Sequence, residues 1–174
     1  KKFSKNTFGW KVLSTVYEKN GLRLEAISAA KKATELSPED FEAHNNLGIL
    51  LMELGRINEA ELSFRHALFL KSDFVEAHNN LGISLKKQDK LRDAEESFLR
   101  VTALRPESAE AHRNLGATLQ ELGKFDTSIA SYIQAIKLNP NYSEALLDFG
   151  NAVMKARFKS SATHLYPFLI KLLT

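Results

Sequence analysis

The chain has 174 residues, of which 44% are hydrophobic and 26% charged, with 24 Lys and Arg, 21 Asp and Glu, and no cysteine. Without cysteine there is no disulfide framework and no thiolate nucleophile. The net charge of +3 equals the charge of Lys1, Lys2 and Lys5, so the rest of the chain is neutral overall. A nucleic-acid partner, which needs a clustered basic stripe, is therefore not predicted. No membrane partner is predicted either, because every apolar run is far shorter than the roughly 20 residues that span a bilayer.

A polar, basic leader over residues 1–6 is followed by an internal repeat. The motif EAHNNLG at residues 42–48 returns at 76–82 and, as EAHRNLG, at 110–116. A fixed period of 34 residues indicates a solenoid, in which each repeat buries its apolar face against its neighbours. The period predicts four complete repeats at 7–40, 41–74, 75–108 and 109–142, and a fifth, degenerate or truncated repeat or C-terminal cap at 143–174.

Two apolar stripes at helical spacing fill the second repeat, one from Leu47 to Leu54 and one from Ala60 to Leu70. Gly55 stands between them and can end the first helix in a left-handed conformation. This pattern predicts a helix, a tight turn and an antiparallel helix. Gly48 inside the first helix costs about 1 kcal/mol relative to alanine, and we expect close packing against Ala60 to compensate.

These positions resemble the signature of the tetratricopeptide repeat (TPR) family. In the second repeat the signature residues are His44, Leu47, Gly48, Leu51, Gly55, Ala60, Phe64 and Ala67. The third and fourth repeats follow the same pattern in the same register. The resemblance covers nearly the whole chain and implies an all-α fold, an α-solenoid in which antiparallel helix pairs form a right-handed superhelix.

Single residues depart from the signature. The first repeat has Ser14 and Ala30 at the positions of Gly48 and Phe64. Asp89 replaces the turn glycine of the third repeat, and we expect a left-handed backbone there because aspartate tolerates it better than most residues.

Prolines mark the ends of second helices at Pro38, Pro106 and Pro140, since proline lacks an N–H and disfavours helical geometry before it. Ser72, at the same position of the second repeat, is expected to be a weaker stop. Pro167 falls where the middle of a fifth second helix would be. We therefore expect the C-terminal repeat to be the least stable part of the chain.

Three histidines, His44, His78 and His112, recur once per repeat and raise the question of a metal site. Stacked helices lie about 8–10 Å apart, whereas zinc needs nitrogen ligands at about 2.0–2.1 Å, so adjacent repeats cannot share an ion through these residues. We interpret them as packing residues. The sequence contains no phosphate-binding glycine loop or nucleophile elbow. It also shows no two carboxylates that can be assigned as a catalytic pair. Neither a cofactor nor catalysis is predicted.

The resemblance implies that the first helices of successive repeats line a concave groove, which the two residues before each Leu-Gly pair face or border. These residues are Asn45, Asn46, Asn79, Asn80, Arg113 and Asn114. An asparagine amide carries donors and an acceptor, so Asn46, Asn80 and Asn114 are expected to bind the backbone of an extended peptide. One helical turn earlier lie Glu42, Glu76 and Glu110. This acidic row favours a basic partner.

The predicted function is protein–protein interaction through this groove, and two alternatives stay open. The asparagine and glutamate rows resemble the TPR arm of O-linked N-acetylglucosamine transferase and its bacterial relatives, which implies a substrate-recognition arm of a glycosyltransferase. The apolar end surfaces of an array favour a self-associating scaffold. TPR domains that bind the C-terminus of cytosolic chaperones have lysine where this chain has Phe8 and the glutamates, so that subtype is disfavoured.

Overall fold

The structure is a computed structural model that describes residues 6–159, which form nine α-helices and no β-strand. The helices are α1 (Thr7–Lys19), α2 (Arg23–Leu36), α3 (Phe41–Glu53), α4 (Ile57–Leu70), α5 (Val75–Lys87), α6 (Leu91–Leu104), α7 (Ala109–Glu121), α8 (Phe125–Leu138) and α9 (Ser143–Lys159). The predicted all-α fold of helix pairs is confirmed. Over the same residues, no helix has the length and apolar character that crossing a bilayer requires.

The helices belong to two compact parts of the chain that meet at the Arg105–Pro106 bond. We call them the N-terminal block, with α1 to α6, and the C-terminal block, with α7 to α9. In the N-terminal block each odd-numbered helix packs against the helix that follows it, and α2 and α4 pack on α3 and α5. In the C-terminal block α8 packs against both α7 and α9. Each block is therefore a stack of neighbouring helices, as the period predicts. The 34-residue boundaries of the repeats stay a prediction.

A residue with left-handed backbone lies in each turn inside a pair: Gly21 (φ 74), Gly55 (φ 79), Asp89 (φ 59) and Gly123 (φ 73). The left-handed conformation predicted for Asp89 is confirmed. The backbone N–H of Arg56 donates to the Leu51 carbonyl at 2.8 Å, and that of Lys90 to the Leu85 carbonyl at 3.0 Å. These bonds satisfy carbonyls that the helix end would otherwise leave unpaired.

The second helices end at Leu36, Leu70, Leu104 and Leu138, each two residues before Pro38, Ser72, Pro106 or Pro140. The prolines therefore stand where the predicted stops should be. However, α4 ends at the equivalent residue, Leu70, although Ser72 stands where the other repeats have proline. Proline is consistent with this helix end but is not required for it.

The repeated histidines reach back to the turn between helices. Their Nε2 atoms lie 2.9 Å from the carbonyl oxygens of Pro38 (His44), Ser72 (His78) and Pro106 (His112). A carbonyl oxygen only accepts, so each Nε2 must carry the hydrogen. The packing interpretation was thus incomplete, because each imidazole also ties its helix to the preceding turn. Among residues 6–159 no group of His, Cys, Asp or Glu is placed to hold a metal ion.

Each helical glycine of the second to fourth repeats lies under an aromatic ring. A Cβ added at Gly48 would lie 2.5 Å from the Phe64 ring. The corresponding distances are 2.7 Å for Gly82 and Phe98 and 2.9 Å for Gly116 and Tyr132. The close approach expected at Gly48 is therefore made by the Phe64 ring rather than by Ala60.

Serine hydroxyls link the two helices of the first and fourth pairs. Ser14 Oγ donates to the Ala26 carbonyl at 2.9 Å. In the fourth repeat the same two positions are joined in the opposite direction, with Ser128 Oγ donating to the Gly116 carbonyl at 2.9 Å. A buried hydroxyl is thus paired in both cases, as the cost of burying an unpaired polar group requires.

In the fifth repeat, α9 forms as expected, and the structure describes it up to Lys159. Pro167 and the expected instability of the C-terminal end lie outside the described residues.

Candidate peptide-binding surface

The predicted asparagine row lies in the middle of the first helices. Asn46 is on α3 and Asn80 on α5, and these two helices lie side by side in the N-terminal block. Asn114 has the same register on α7 in the C-terminal block. Asn46 is exposed, whereas Asn80 and Asn114 are half-buried. We call Asn46 and Asn80 the amide pair.

Asn45, which was expected to face or border the groove, is only 5% exposed. Its Oδ1 accepts a hydrogen bond of 3.0 Å from Nδ2 of Asn80. Asn45 and Asn80 are 35 residues apart, which is one repeat plus one residue, so this hydrogen bond joins α3 to α5. Asn45 therefore holds the Asn80 amide in place and presents little of its own surface.

The C-terminal block uses the same positions for an ion pair. Arg113, at the register of Asn45, donates from Nε to Oδ2 of Asp148 at 2.8 Å, which joins α7 to α9. Burial lowers the pKa of Arg113, but Asp148 and Tyr142 outweigh this effect and raise it. Arg113 thus connects helices as Asn45 does. Asn79 occupies the same register on α5 and was also predicted to face or border the groove; it is half-buried.

The acidic row is partly neutralised by the protein itself. Glu42 lies 3.3 Å from Lys11 Nζ, which also lies 2.9 Å from Asp40. Glu76 accepts a 2.6 Å hydrogen bond from Arg105 Nη2. Glu110 is exposed at the start of α7. Ion pairs at an exposed surface are worth only about 0–1 kcal/mol, so a basic ligand can compete for these carboxylates.

The first helix differs from the others along the same line. Phe8 and Val12 stand at the register of Glu42 and Asn46, and they are 72% and 45% exposed. The surface therefore changes from apolar on α1 to amide and carboxylate on α3 and α5. In the sequence analysis, Phe8 was used only to disfavour the chaperone-binding subtype, which has lysine at this position.

The chain stacks helix pairs, and three of these pairs place a glycine under an aromatic ring. Polar side chains lie along the first helices. These features define a helical-repeat interaction module. Models of the tetratricopeptide repeat family match residues 12–40, 29–61, 79–119 and 109–142. The chain belongs to this family. It is a protein-interaction module of the TPR class.

Solved structures support the same fold. A crystal structure of MamA is 25% identical, with a TM-score of 0.83, and the match covers 92% of this chain and 88% of that one. MamA 41-end from Desulfovibrio magneticus RS-1 is 21% identical, with a TM-score of 0.83 and coverage of 95% and 94%. YrrB, described as a TPR protein with an unusual peptide-binding site, is 18% identical, with a TM-score of 0.78 and coverage of 92% and 83%. No curated protein matches the sequence significantly.

Proposed function

We propose that the chain binds an extended peptide along its first helices, with the amide pair Asn46 and Asn80 as the main contacts. The Asn45–Asn80 hydrogen bond is the observation that carries this proposal. It uses one donor of the Asn80 amide, which has two donors and an acceptor. A polar group that is already held in place loses less conformational freedom when a ligand binds. Asn114 offers the same group in the C-terminal block.

The chemistry of these groups fits a peptide backbone. Every non-proline residue of an extended chain presents one N–H and one C=O, and an amide can pair with either. Contacts of this kind read the backbone with little regard for side chains. The carboxylates of Glu42 and Glu76 then add a preference for basic residues. A substrate-recognition arm of a glycosyltransferase would use the same type of contact.

Replacing Asn46, Asn80 and Asn114 together by alanine should weaken a micromolar peptide ligand by tens-fold or more. Each lost hydrogen bond removes about 0.5–1.5 kcal/mol. The ligand is taken from a peptide array probed with the wild-type protein, and its affinity is measured by fluorescence anisotropy. Asn58→Ala, an exposed asparagine at the start of α4, is the matched control and should bind as wild type does. Equal affinity of the triple variant at unchanged helicity would place the binding site elsewhere.

Replacing Glu42, Glu76 and Glu110 by glutamine should reduce the preference for basic peptides. The salt dependence of binding should also become flatter, because salt screens exposed charges over about 8–10 Å at physiological ionic strength. Anisotropy titrations of a lysine-rich peptide and a neutral analogue, at low and high salt, measure both effects. Parallel salt curves for the wild type and this variant would contradict an electrostatic role of the row.

A second candidate function, self-association, is favoured by the uncovered face of α1. Leu50 of α3 is 5% exposed, whereas Val16, at the same register of α1, is 46% exposed. Phe8 and Val12 add to this apolar surface, and large exposed apolar patches mark interaction sites. We expect light scattering to show a concentration-dependent mass that Val12→Glu with Val16→Glu returns to that of the monomer. A wild-type protein that stays monomeric up to high concentration rules this candidate out.

A further inference from the structure

The first repeat contains a pocket that opens beside Asn46. It has a volume of about 180 Å³ and lies between α1, α2 and α3 in the N-terminal block. Its small and apolar lining residues are Ser14, Ala30, Ala33, Ala43, Ile49 and Leu50. Lys11, Thr15, Glu18 and Asn46 supply its polar lining. One residue of the amide pair therefore borders a cavity with alanine walls.

The pocket exists because the first repeat lacks an aromatic ring. At the register of Ala30 the second and third repeats have Phe64 and Phe98, which are 0% and 1% exposed. Those rings fill the space above the helical glycine. The first repeat has the small residue Ser14 in place of that glycine, and the Ser14 hydroxyl is turned to the Ala26 carbonyl. No aromatic side chain is among the residues that line this pocket.

The polar side of the pocket also differs from the next repeat. Between α3 and α5 the Asn45–Asn80 hydrogen bond spans the equivalent position. In the first repeat Lys11 stands at the register of Asn45, and its ammonium group binds Asp40 and Glu42 instead. The cleft between α1 and α3 thus lacks an amide bridge like the one that joins α3 to α5.

We propose that this pocket binds one apolar side chain of the peptide that runs along the first helices, an inference that rests on the proposed function. A cavity of about 150 Å³ with apolar walls holds benzene, so the pocket is large enough for the side chain of leucine, methionine or phenylalanine. An acidic side chain is disfavoured, because Lys11 is already paired with Asp40 and Glu42 and because Glu18 also lines the pocket. A basic side chain could pair with Glu18, so selected peptides that share a lysine or arginine instead of an apolar residue would overturn the inference. The amide of Asn46 is placed to bind the peptide backbone next to this anchor residue.

The test converts the first repeat to the pattern of the second. Ser14→Gly combined with Ala30→Phe recreates the Gly48 and Phe64 pair and fills the pocket. Peptides selected on the wild-type protein from a random display library should share one apolar residue, and changing it to alanine should weaken binding about tenfold to a hundredfold. The filled variant should lose the same factor and become insensitive to that alanine change. Leu62→Ala, an exposed position on α4, is the control and should bind as wild type does.

The outcomes separate this inference from the function on which it rests. If the selected peptides depend on Asn46 and Asn80 but bind the filled variant as tightly as wild type, the pocket is not used and the groove proposal stands. If no peptide is selected, or if binding ignores the asparagines, the groove proposal fails and the pocket fails with it. Circular dichroism shows whether the filled variant is folded. If it is not, Thr15→Phe blocks the same pocket from an exposed position on α1, and wild-type affinity of that variant for the peptides overturns the inference.

Discussion

Phe98→Ala should lower the free energy of unfolding by about 3–5 kcal/mol, the usual cost of removing a buried aromatic side chain. Phe98 is 1% exposed and its ring covers Gly82. Gly82→Ala alone should also destabilise, because the new Cβ would lie 2.7 Å from that ring. Overpacking of this kind costs about 1–3 kcal/mol. It works against the gain of about 1 kcal/mol that alanine brings to a helix.

The decisive result is that the effect of Gly82→Ala on stability changes sign between the wild-type protein and the Phe98→Ala variant. In a protein that already carries Phe98→Ala, Gly82→Ala should stabilise, because the ring is gone and only the helix propensity is left. The first repeat shows the same combination, with Ser14 opposite Ala30. Urea unfolding followed by circular dichroism gives the four free energies of the cycle, and hydrogen exchange of α5 and α6 shows whether the effect stays local, as expected in a repeat array. Gly82→Ala with the same effect in both backgrounds would disprove the ring contact.

The helices could be predicted because their signals are local. The apolar spacing, the turn glycines and Asp89 act within one repeat, and the structure has helices and left-handed turns where these signals place them. The packing partner of Gly48 could not be predicted in the same way. Several side chains of the second helix are near enough in sequence, and only the relative rotation of the two helices brings Phe64 over the glycine.

The candidate surface was predicted from the position of each residue within its repeat. That position does not show which of two neighbouring residues faces solvent. Asn45 and Asn46 are adjacent, yet a rotation of about 100° per residue places one against the next helix and the other in solvent. A usable signal was present in the spacing of one repeat plus one residue. Asn45 with Asn80 and Arg113 with Asp148 are pairs at this spacing that can hydrogen-bond across first helices. The pocket needed coordinates, because Ser14 and Ala30 were visible as departures but not as neighbours of Asn46.

Glu61 is a buried charge that the sequence did not single out. It lies on α4, and its side chain is 11% exposed. Its carboxylate accepts hydrogen bonds of 2.8 Å from Arg65 Nε, Gln88 Nε2 and Lys90 Nζ. Gln88 and Lys90 lie in the turn between α5 and α6, so this cluster joins the second repeat to the third. A carboxylate with three donors satisfies the condition under which a buried charge is tolerated.

The pKa of Glu61 reports this environment. Burial raises it, but the hydrogen bonds from Lys90, Arg65 and Gln88 outweigh burial and lower it from 4.5 to about 2. A carboxyl group whose pKa is lower in the folded state stabilises the fold above its unfolded pKa. The stabilisation is complete above pH 4.5 or so and is lost as the pH falls from there towards 2. Acid should therefore weaken the contact between α4 and the turn after α5.

Glu61→Gln should lower the free energy of unfolding at pH 7 by about 1.5–3 kcal/mol, the usual contribution of a hydrogen bond to a charged group. The difference from wild type should shrink as the pH falls from 4.5 to 2, because the wild-type carboxylate takes up its proton in that range. Urea unfolding at a series of pH values measures this difference. Glu59→Gln is the matched control, since Glu59 lies on the same helix in an exposed pair with Arg56 and should change stability little. Equal effects of the two substitutions, or a Glu61→Gln effect that stays constant down to pH 2, would show that Glu61 does not act as a buried carboxylate between the repeats.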